Sequence, residues 1–275
     1  MRIGLIGCGR VGVTIFSILR TRNRIVGVYD SNARKQKTAV RSLRIRRNHT
    51  YEELISQSEV LFIATPDDAI IRAYHKMQPS LKGRKYVFHF SGILPADTLS
   101  KKKNVFRASI HPFATFPRIM IAPRKKHFFL SVEGDPQAIK CAHAIFNSQH
   151  FTLKSIRKKD KPLYHLIGVF SSNLLVGLVG ATYQSANMMG WREKDIRHLI
   201  FPIITETLNN IEEYGLKESL SGPLRRGDVR TIEEHLKALQ KNKYLLRVYK
   251  SLSAYIMHAI ISGEKNPKLK KLFNQ

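Results

Sequence analysis

Gly7, Gly9 and Gly12 stand in the run Gly7-Cys8-Gly9-Arg10-Val11-Gly12, between the apolar stretch Ile3-Gly4-Leu5-Ile6 and a periodic stretch over 13–19. Strand, tight turn and helix in that order suit the holding of a dinucleotide's phosphates. Gly7 lets the chain turn off the strand, Gly9 has no Cβ to keep a pyrophosphate from the backbone, and Gly12 lets the helix pack close to the sheet. Cys8, Arg10 and Val11 complete the turn, and the positive end of the helix faces the phosphates. A second run, Ile25-Val26-Gly27-Val28-Tyr29, ends in Asp30, at the distance where an acidic side chain meets the adenosine ribose hydroxyls. Asp30 favours NAD, whereas Ser31, Arg34 and Lys35 just beyond it could hold a 2′-phosphate. The cofactor is therefore read as NAD(P).

The elements that must position this turn follow from hydrophobic periodicity. Predicted strands over 59–64, 86–90 and 105–110 end in Thr65-Pro66, Ser91-Gly92 and His111-Pro112, and helices are expected over 51–56 and 68–77, the latter capped by Asp67. Strands alternating with helices predict an α/β Rossmann fold, a doubly wound parallel sheet whose ligands lie outside the carboxyl ends of its strands. Thr65, Pro66, Ser91 and Gly92 are thus cofactor candidates, and His111 shares their edge. Two further strands, over 128–132 and 151–156, flank a helix over 135–147. Beyond 157 the pattern is helical to the end, which predicts an all-α second domain over 157–275 after a first domain over 1–156.

The chain has 275 residues, enough for two domains with real cores. Cys8 and Cys141 are its only cysteines, which fits a reducing cytoplasm, and the apolar start is broken by Gly7, Gly9 and Arg10, unlike a signal peptide. Charge is the outlier: 47 Lys and Arg face 20 Asp and Glu, a formal net of +27. The basic residues fall in short runs at 44–47, 101–103, 124–126, 157–161 and 268–271, with neither aromatic interleaving nor a zinc or helix-turn-helix pattern. A solvated basic surface that attracts an anionic cofactor and substrate is expected, without specific nucleic-acid binding.

In the helical half, His165, Val169, Ser172, Asn173 and Val176 fall along one helical stripe. The surrounding segment 166–179 is apolar on nearly every face, but Ser171, Ser172 and Asn173 interrupt it, so it is read as a buried interdomain helix and not a membrane span. Polar groups there must bond within the core or face a ligand-filled cleft, and His165 is open to either role. The segment 221–228 likewise has two readings: Asp228 caps a following helix, or Arg226 forks onto a substrate carboxylate.

Over nearly its whole length the chain resembles a group of Rossmann-like oxidoreductases with a helical C-terminal domain that includes an alternative type of ketopantoate reductase. The resemblance rests on the glycine turn, on Ala64-Thr65-Pro66-Asp67-Asp68-Ala69-Ile70, on His89-Phe90-Ser91-Gly92 and on His111-Pro112-Phe113-Ala114-Thr115-Phe116. Tyr164-His165, Ser172-Asn173, Ser221-Gly222-Pro223-Leu224-Arg225-Arg226-Gly227-Asp228 and His235-Leu236 carry it through the second half. More distantly the chain is similar to β-hydroxyacid dehydrogenases and pyrroline-5-carboxylate reductases. The resemblance implies a C-terminal domain like that of 6-phosphogluconate dehydrogenase, which closes over the nicotinamide and builds a homodimer. It also implies NADP, with NAD as the alternative, and a small keto acid as substrate, ketopantoate (2-dehydropantoate) on the way to pantothenate being the first choice.

Pyrroline-5-carboxylate and a prephenate-like acid are the other substrates implied. If Asn173 matches the asparagine of the dehydrogenases' Lys-x-x-x-Asn pair, Val169 stands where they have lysine. An aliphatic side chain cannot deliver a proton, so the expected general acid is His165 or His111, an imidazole's ordinary pKa of about 6.5 suiting the task. Ser91, Ser172 and Asn173 are expected to orient the carbonyl and carboxylate. The same Val169 leaves open a catalytically inactive NAD(P)-sensing or interaction protein.

Overall fold

Every side chain of Val60–Ile63 is buried, as are four of five in Arg2–Ile6, so these strands must be covered on both faces. A computed structural model describes residues 1–46, 49–121, 127–261 and 271–273. The basic run 124–126, most of 268–271 and the last residue of 44–47 lie outside the described residues. The strands are β1 (Arg2–Ile6), β2 (Arg24–Tyr29), β3 (Val60–Ile63), β4 (Lys85–His89), β5 (Val105–Phe113), β6 (Phe128–Gly134) and β7 (Phe151–Ser155). They form one sheet in the order β2-β1-β3-β4-β5-β6-β7. The helices α1 (Arg10–Leu19), α2 (Ala33–Ser42), α3 (Tyr51–Gln57), α4 (Asp67–Met77) and α5 (Pro136–Ile145) connect them.

The first five strands in space pair in parallel, which is the expected Rossmann arrangement. The far side departs from a wholly parallel sheet, since β5 and β6 pair antiparallel and β6 and β7 parallel. A parallel return needs a crossover, usually a helix, and the described residues between β5 and β6 contain none. β5 also runs past its expected end, so His111 lies inside the strand, opposite Ser131.

Two cores sandwich the sheet. Phe62 sits at the centre of one, its ring 5.2 Å from Phe16, 5.2 Å from Phe88 and 6.1 Å from Phe146, in edge contacts that add to their apolar burial. Leu61, Ile63, Ile70 and Tyr74 build the other. The buried Arg107 guanidinium is held by both carboxylate oxygens of Asp135, at 3.1 Å each, and ties β5 to the start of α5.

The start of α4 differs from expectation, and α2 is a helix that periodicity does not announce. α2 occupies a stretch whose periodicity is weak because only Ala39 is buried, and its start is fixed by Asn32, whose side chain accepts the N–H groups of Arg34 and Lys35. Asp67 does not cap α4; the helix begins at Asp67 itself, after Pro66, and the carboxylate bonds elsewhere.

By its internal packing the chain divides into two compact units, 1–172 and 173–275, the division falling inside the long helix. Helix α6 (Lys161–Gly168) packs with the first unit, then passes through a π-helical turn (Val169–Leu174) into α7 (Leu175–Asn187). The second unit continues with α8 (Glu193–Glu218), broken at Gly215 where φ is +79°, then α9 (Gly222–Arg226), α10 (Val229–Leu239) and α11 (Lys243–Tyr255). Its small cores centre on Ile196 and Ile200 and on Ile232, Met257 and Phe273.

The expectation of a buried helix over 166–179 is not met in the single chain. Leu163, Phe170 and Val176 are 67%, 61% and 71% exposed. By length and composition the helix over 158–187 could cross a membrane, with a mean hydropathy of 1.6 over its most apolar eighteen residues. Its first turn, however, is rooted in the Rossmann unit by the buried Lys161.

Candidate cofactor and active site

The glycine turn has the geometry that its spacing predicts. The Gly7 N–H donates to the Tyr29 carbonyl at 2.8 Å, and its φ of +94° is open to glycine at little strain. A Cβ on Gly7 would lie 2.6 Å from the Ala64 carbonyl carbon, and one on Gly12 would lie 2.7 Å from the Ala64 Cβ, so both glycines let α1 and the end of β3 meet. Gly9 is different. A Cβ there would have only the Ala64 oxygen near it, at 3.8 Å. The space above Gly9 is open, and the first N–H groups of α1 face it without an acidic side chain in the first turn.

Around that cradle, Cys8 N–H donates to Asp30 Oδ2 at 2.7 Å and Asn32 N–H to Oδ1 at 2.8 Å, so Asp30 holds the turn as well as standing at the end of β2. The Cys8 thiol is pushed up to about 12, by burial first and then by the Asp30 charge, and stays protonated. Val11 packs against the core, Arg10 reaches the Pro117 carbonyl, and Ser31 and Arg34 are exposed. Thr65, beside Gly7, buries its hydroxyl with no hydrogen-bond partner among the described residues. Buried polar groups are nearly always paired, so this oxygen asks for a ligand.

At the ends of β4 and β5 a second cluster forms. Ser91 Oγ donates to Asp67 Oδ2 at 2.8 Å and accepts the N–H groups of Ile93 and Leu94. These three bonds shape the turn that follows β4. Gly92 follows, pressed against two imidazoles: a Cβ there would lie 2.4 Å from His165 Cδ2 and 3.0 Å from His111 Nε2. The two rings are 5.8 Å apart, and Tyr164 meets His111 edge-on at 5.9 Å.

His111 is pushed down to about 4, by burial first and then by the charges of His165 and Lys161. It is therefore neutral near pH 7.

Lys161 was hidden in a basic run. It is 1% exposed, and its ammonium donates to Ser109 Oγ at 2.7 Å and to the Ser91 carbonyl at 3.4 Å. Burial lowers its pKa, against the nearby Glu133 and Asp67 carboxylates. The signal that could have found it is spacing: Lys161, His165, Val169 and Ser172 share one helical stripe, so an ammonium stands two turns before Val169.

His89, fully buried beside this cluster, bonds the Pro95 carbonyl through Nε2 and accepts Ser91 N–H through Nδ1, both at 3.3 Å. It too is lowered to about 4, mainly by burial.

Ser172 closes the first unit and Asn173 opens the second, both in the π-helical turn. Arg226 is exposed at the end of α9 in the second unit. Asp228 does cap α10, accepting the Thr231 N–H at 3.1 Å and its hydroxyl at 2.7 Å.

Residues 2–87 match the family described as NADP oxidoreductase, coenzyme F420-dependent, and residues 128–256 match the domain of unknown function DUF2520. No curated protein matches the chain. Among solved structures, a protein from Thermotoga maritima is 21% identical with a TM-score of 0.71, over 96% of this chain and 100% of that one. A Bacteroides fragilis protein assigned as an NADP oxidoreductase is 19% identical with a TM-score of 0.72, over 94% and 98%. A Plasmodium falciparum pyrroline carboxylate reductase with NADP bound is 15% identical with a TM-score of 0.61, over 100% and 97%. At such identities these likenesses are of fold. Residues 2–87 therefore match an NADP-oxidoreductase Rossmann domain and residues 128–256 a DUF2520 domain, on a fold shared with NAD(P) oxidoreductases.

Proposed function

We propose that this protein reduces the carbonyl of a small keto acid with NADPH, ketopantoate being the first substrate to test. The observation that carries the reading is the placing, at the carboxyl edge of one sheet, of a cradle free of Cβ atoms at Gly9 and a histidine pair against Gly92. The residues fit a nicotinamide dinucleotide: the space over Gly9 admits a pyrophosphate, the first turn of α1 offers N–H donors, and Thr65 Oγ1 supplies an unpaired hydroxyl. Ser31 and Arg34 would take the 2′-phosphate, which supports NADP over NAD. When bound, the nicotinamide supplies the hydride.

His165 gives a proton to the developing alkoxide, and neutral His111, its ring packed edge-on against His165, bonds the reacting oxygen. Lys161 adds a positive charge behind both and holds Ser91 and Ser109 in place. Ser172, at the end of the first unit, orients the carbonyl; in the second unit the amide of Asn173 and the planar guanidinium of Arg226 have the chemistry that suits a carboxylate. A second copy of the chain would cover the exposed Leu163, Ile167, Phe170 and Val176, giving a dimer through the helical half. Free Cys8 and Cys141 support a cytoplasmic setting.

Val169 favours one other reading, a sensor that binds the cofactor without turnover. Following NADPH and NADH absorbance against ketopantoate, pyrroline-5-carboxylate, prephenate and other keto acids separates the two. Oxidation of NADPH with ketopantoate alone fits the proposal, oxidation with another acid reassigns the substrate, and tight binding without turnover across the panel favours the sensor.

A further inference from the structure

At the opposite end of the sheet from the glycine turn, the strands begin with arginines. Arg2 opens β1 and Arg24 opens β2, and the two are direct neighbours in the register. Like charges placed opposite one another in a sheet repel. Arg20 follows the end of α1, and Arg44 and Arg46 follow the end of α2. All five line one cavity of about 530 Å³, whose lining among the described residues contains no carboxylate. Its inner wall is formed by Val26 and Leu43, which are buried, and by Ile25.

The partners of these arginines do not neutralise the cavity. Arg2 meets Glu59 at 3.8 Å, and His49, also in the lining, meets Glu53 at 3.6 Å. Arg20, Arg24, Arg44 and Arg46 form no ion pair among the described residues. Arg44 holds a left-handed backbone with φ of +52°, which a side chain other than glycine adopts against steric resistance. Two helix C-termini close by attract cations and account for part of the cluster. They do not account for Arg2 and Arg24, which sit at strand starts.

We propose that this arginine-lined cavity is a binding site for a small anion carrying two or more phosphate groups, separate from the cofactor cradle. Guanidinium groups match phosphate oxygens in pairs of charge-assisted hydrogen bonds, and several that converge select multiple phosphates over a single carboxylate. A volume of about 530 Å³ is that of a small-molecule site, and the apolar wall suits the organic part of a phosphorylated metabolite. Nucleic-acid phosphates share the chemistry, but a compact pocket with an apolar floor at Val26 and Leu43 suits a small organic anion better than an extended strand.

The test is calorimetric titration of sodium tripolyphosphate into the full-length protein, the double variant Arg24→Gln/Arg44→Gln, and the charge-matched control Lys101→Gln/Lys103→Gln. Circular dichroism and thermal melting verify that each is folded. The proposal expects saturable binding that weakens about tenfold or more in the arginine variant and less than about twofold in the lysine variant. Absence of saturable binding to the wild type, or equal loss in both variants, overturns it. A parallel titration with a single-stranded oligonucleotide of about 20 nucleotides distinguishes the source. If the oligonucleotide needs the same arginines and displaces tripolyphosphate, the small-anion assignment is overturned in favour of nucleic acid.

Discussion

Substituting Gly92 by alanine should disable the histidine pair without unfolding the domain. Gly92 has no left-handed backbone, so alanine is conformationally acceptable there. The new methyl would lie 2.4 Å from His165 Cδ2 and 3.0 Å from His111 Nε2, where ordinary contact requires about 3.4 Å or more. His165 must therefore retreat by about 1 Å, a misplacement of catalytic groups that lowers turnover by about a hundredfold, or about 2.7 kcal/mol in the barrier. The glycine turn is on another part of the edge, so NADPH affinity should change little. The assay is steady-state kcat with the keto acid that the panel identifies, alongside the NADPH dissociation constant and thermal melting. A variant with kcat within about threefold of wild type and normal melting would refute the claim that these imidazoles act in their present positions.

Three other outcomes follow from the same geometry. His89 is buried and neutral, with its pKa moved from 6.5 to about 4, so the unfolded chain takes up a proton on acidification before the folded one does. Its contribution of about 3 kcal/mol is complete above pH 6.5 and is lost as pH falls toward 4; urea unfolding at several pH values should show this slope, and His89→Gln should flatten it, an unchanged slope speaking against the assignment. Lys161→Met removes the charge that helps keep His111 neutral, so the acid limb of the pH–rate profile should move to higher pH and kcat should fall; a lower kcat with an unmoved profile would reduce Lys161 to a packing role. Gly12→Ala, whose methyl would meet Ala64 Cβ at 2.7 Å, should lower the melting temperature by several degrees, and unchanged melting would show that α1 is not tightly apposed to β3.

Much of the Rossmann half can be read from local pattern, since its strands are short apolar runs and its turn is written in glycines. What escapes that reading has physical causes. Helix α2 buries only Ala39 and so lacks an apolar face, while pairing direction between β5 and β6 depends on the connection between them and not on strand composition. Lys161 looks like one more surface cation in the run 157–161, and only its place on the His165 stripe distinguishes it. Ser91 follows a strand end that the sequence predicts, and its hydroxyl bonds Asp67, a contact invisible in sequence because Asp67 lies 24 residues away. The apolar helix carries too much greasy surface to suggest exposure, yet in the single chain it is exposed.

Cofactor binding by this chain depends on the open space over Gly9, and calorimetry of NADPH binding to the wild type and to Gly9→Ala tests that space most directly. With φ at −76° and no atom nearer than 3.8 Å to the added methyl, the variant should fold and melt like the wild type. The account predicts clear NADPH binding by the wild type and affinity lowered about a hundredfold or more in the variant. Equal affinity in the two proteins, or a wild type that binds neither NADPH nor NADH, would contradict it.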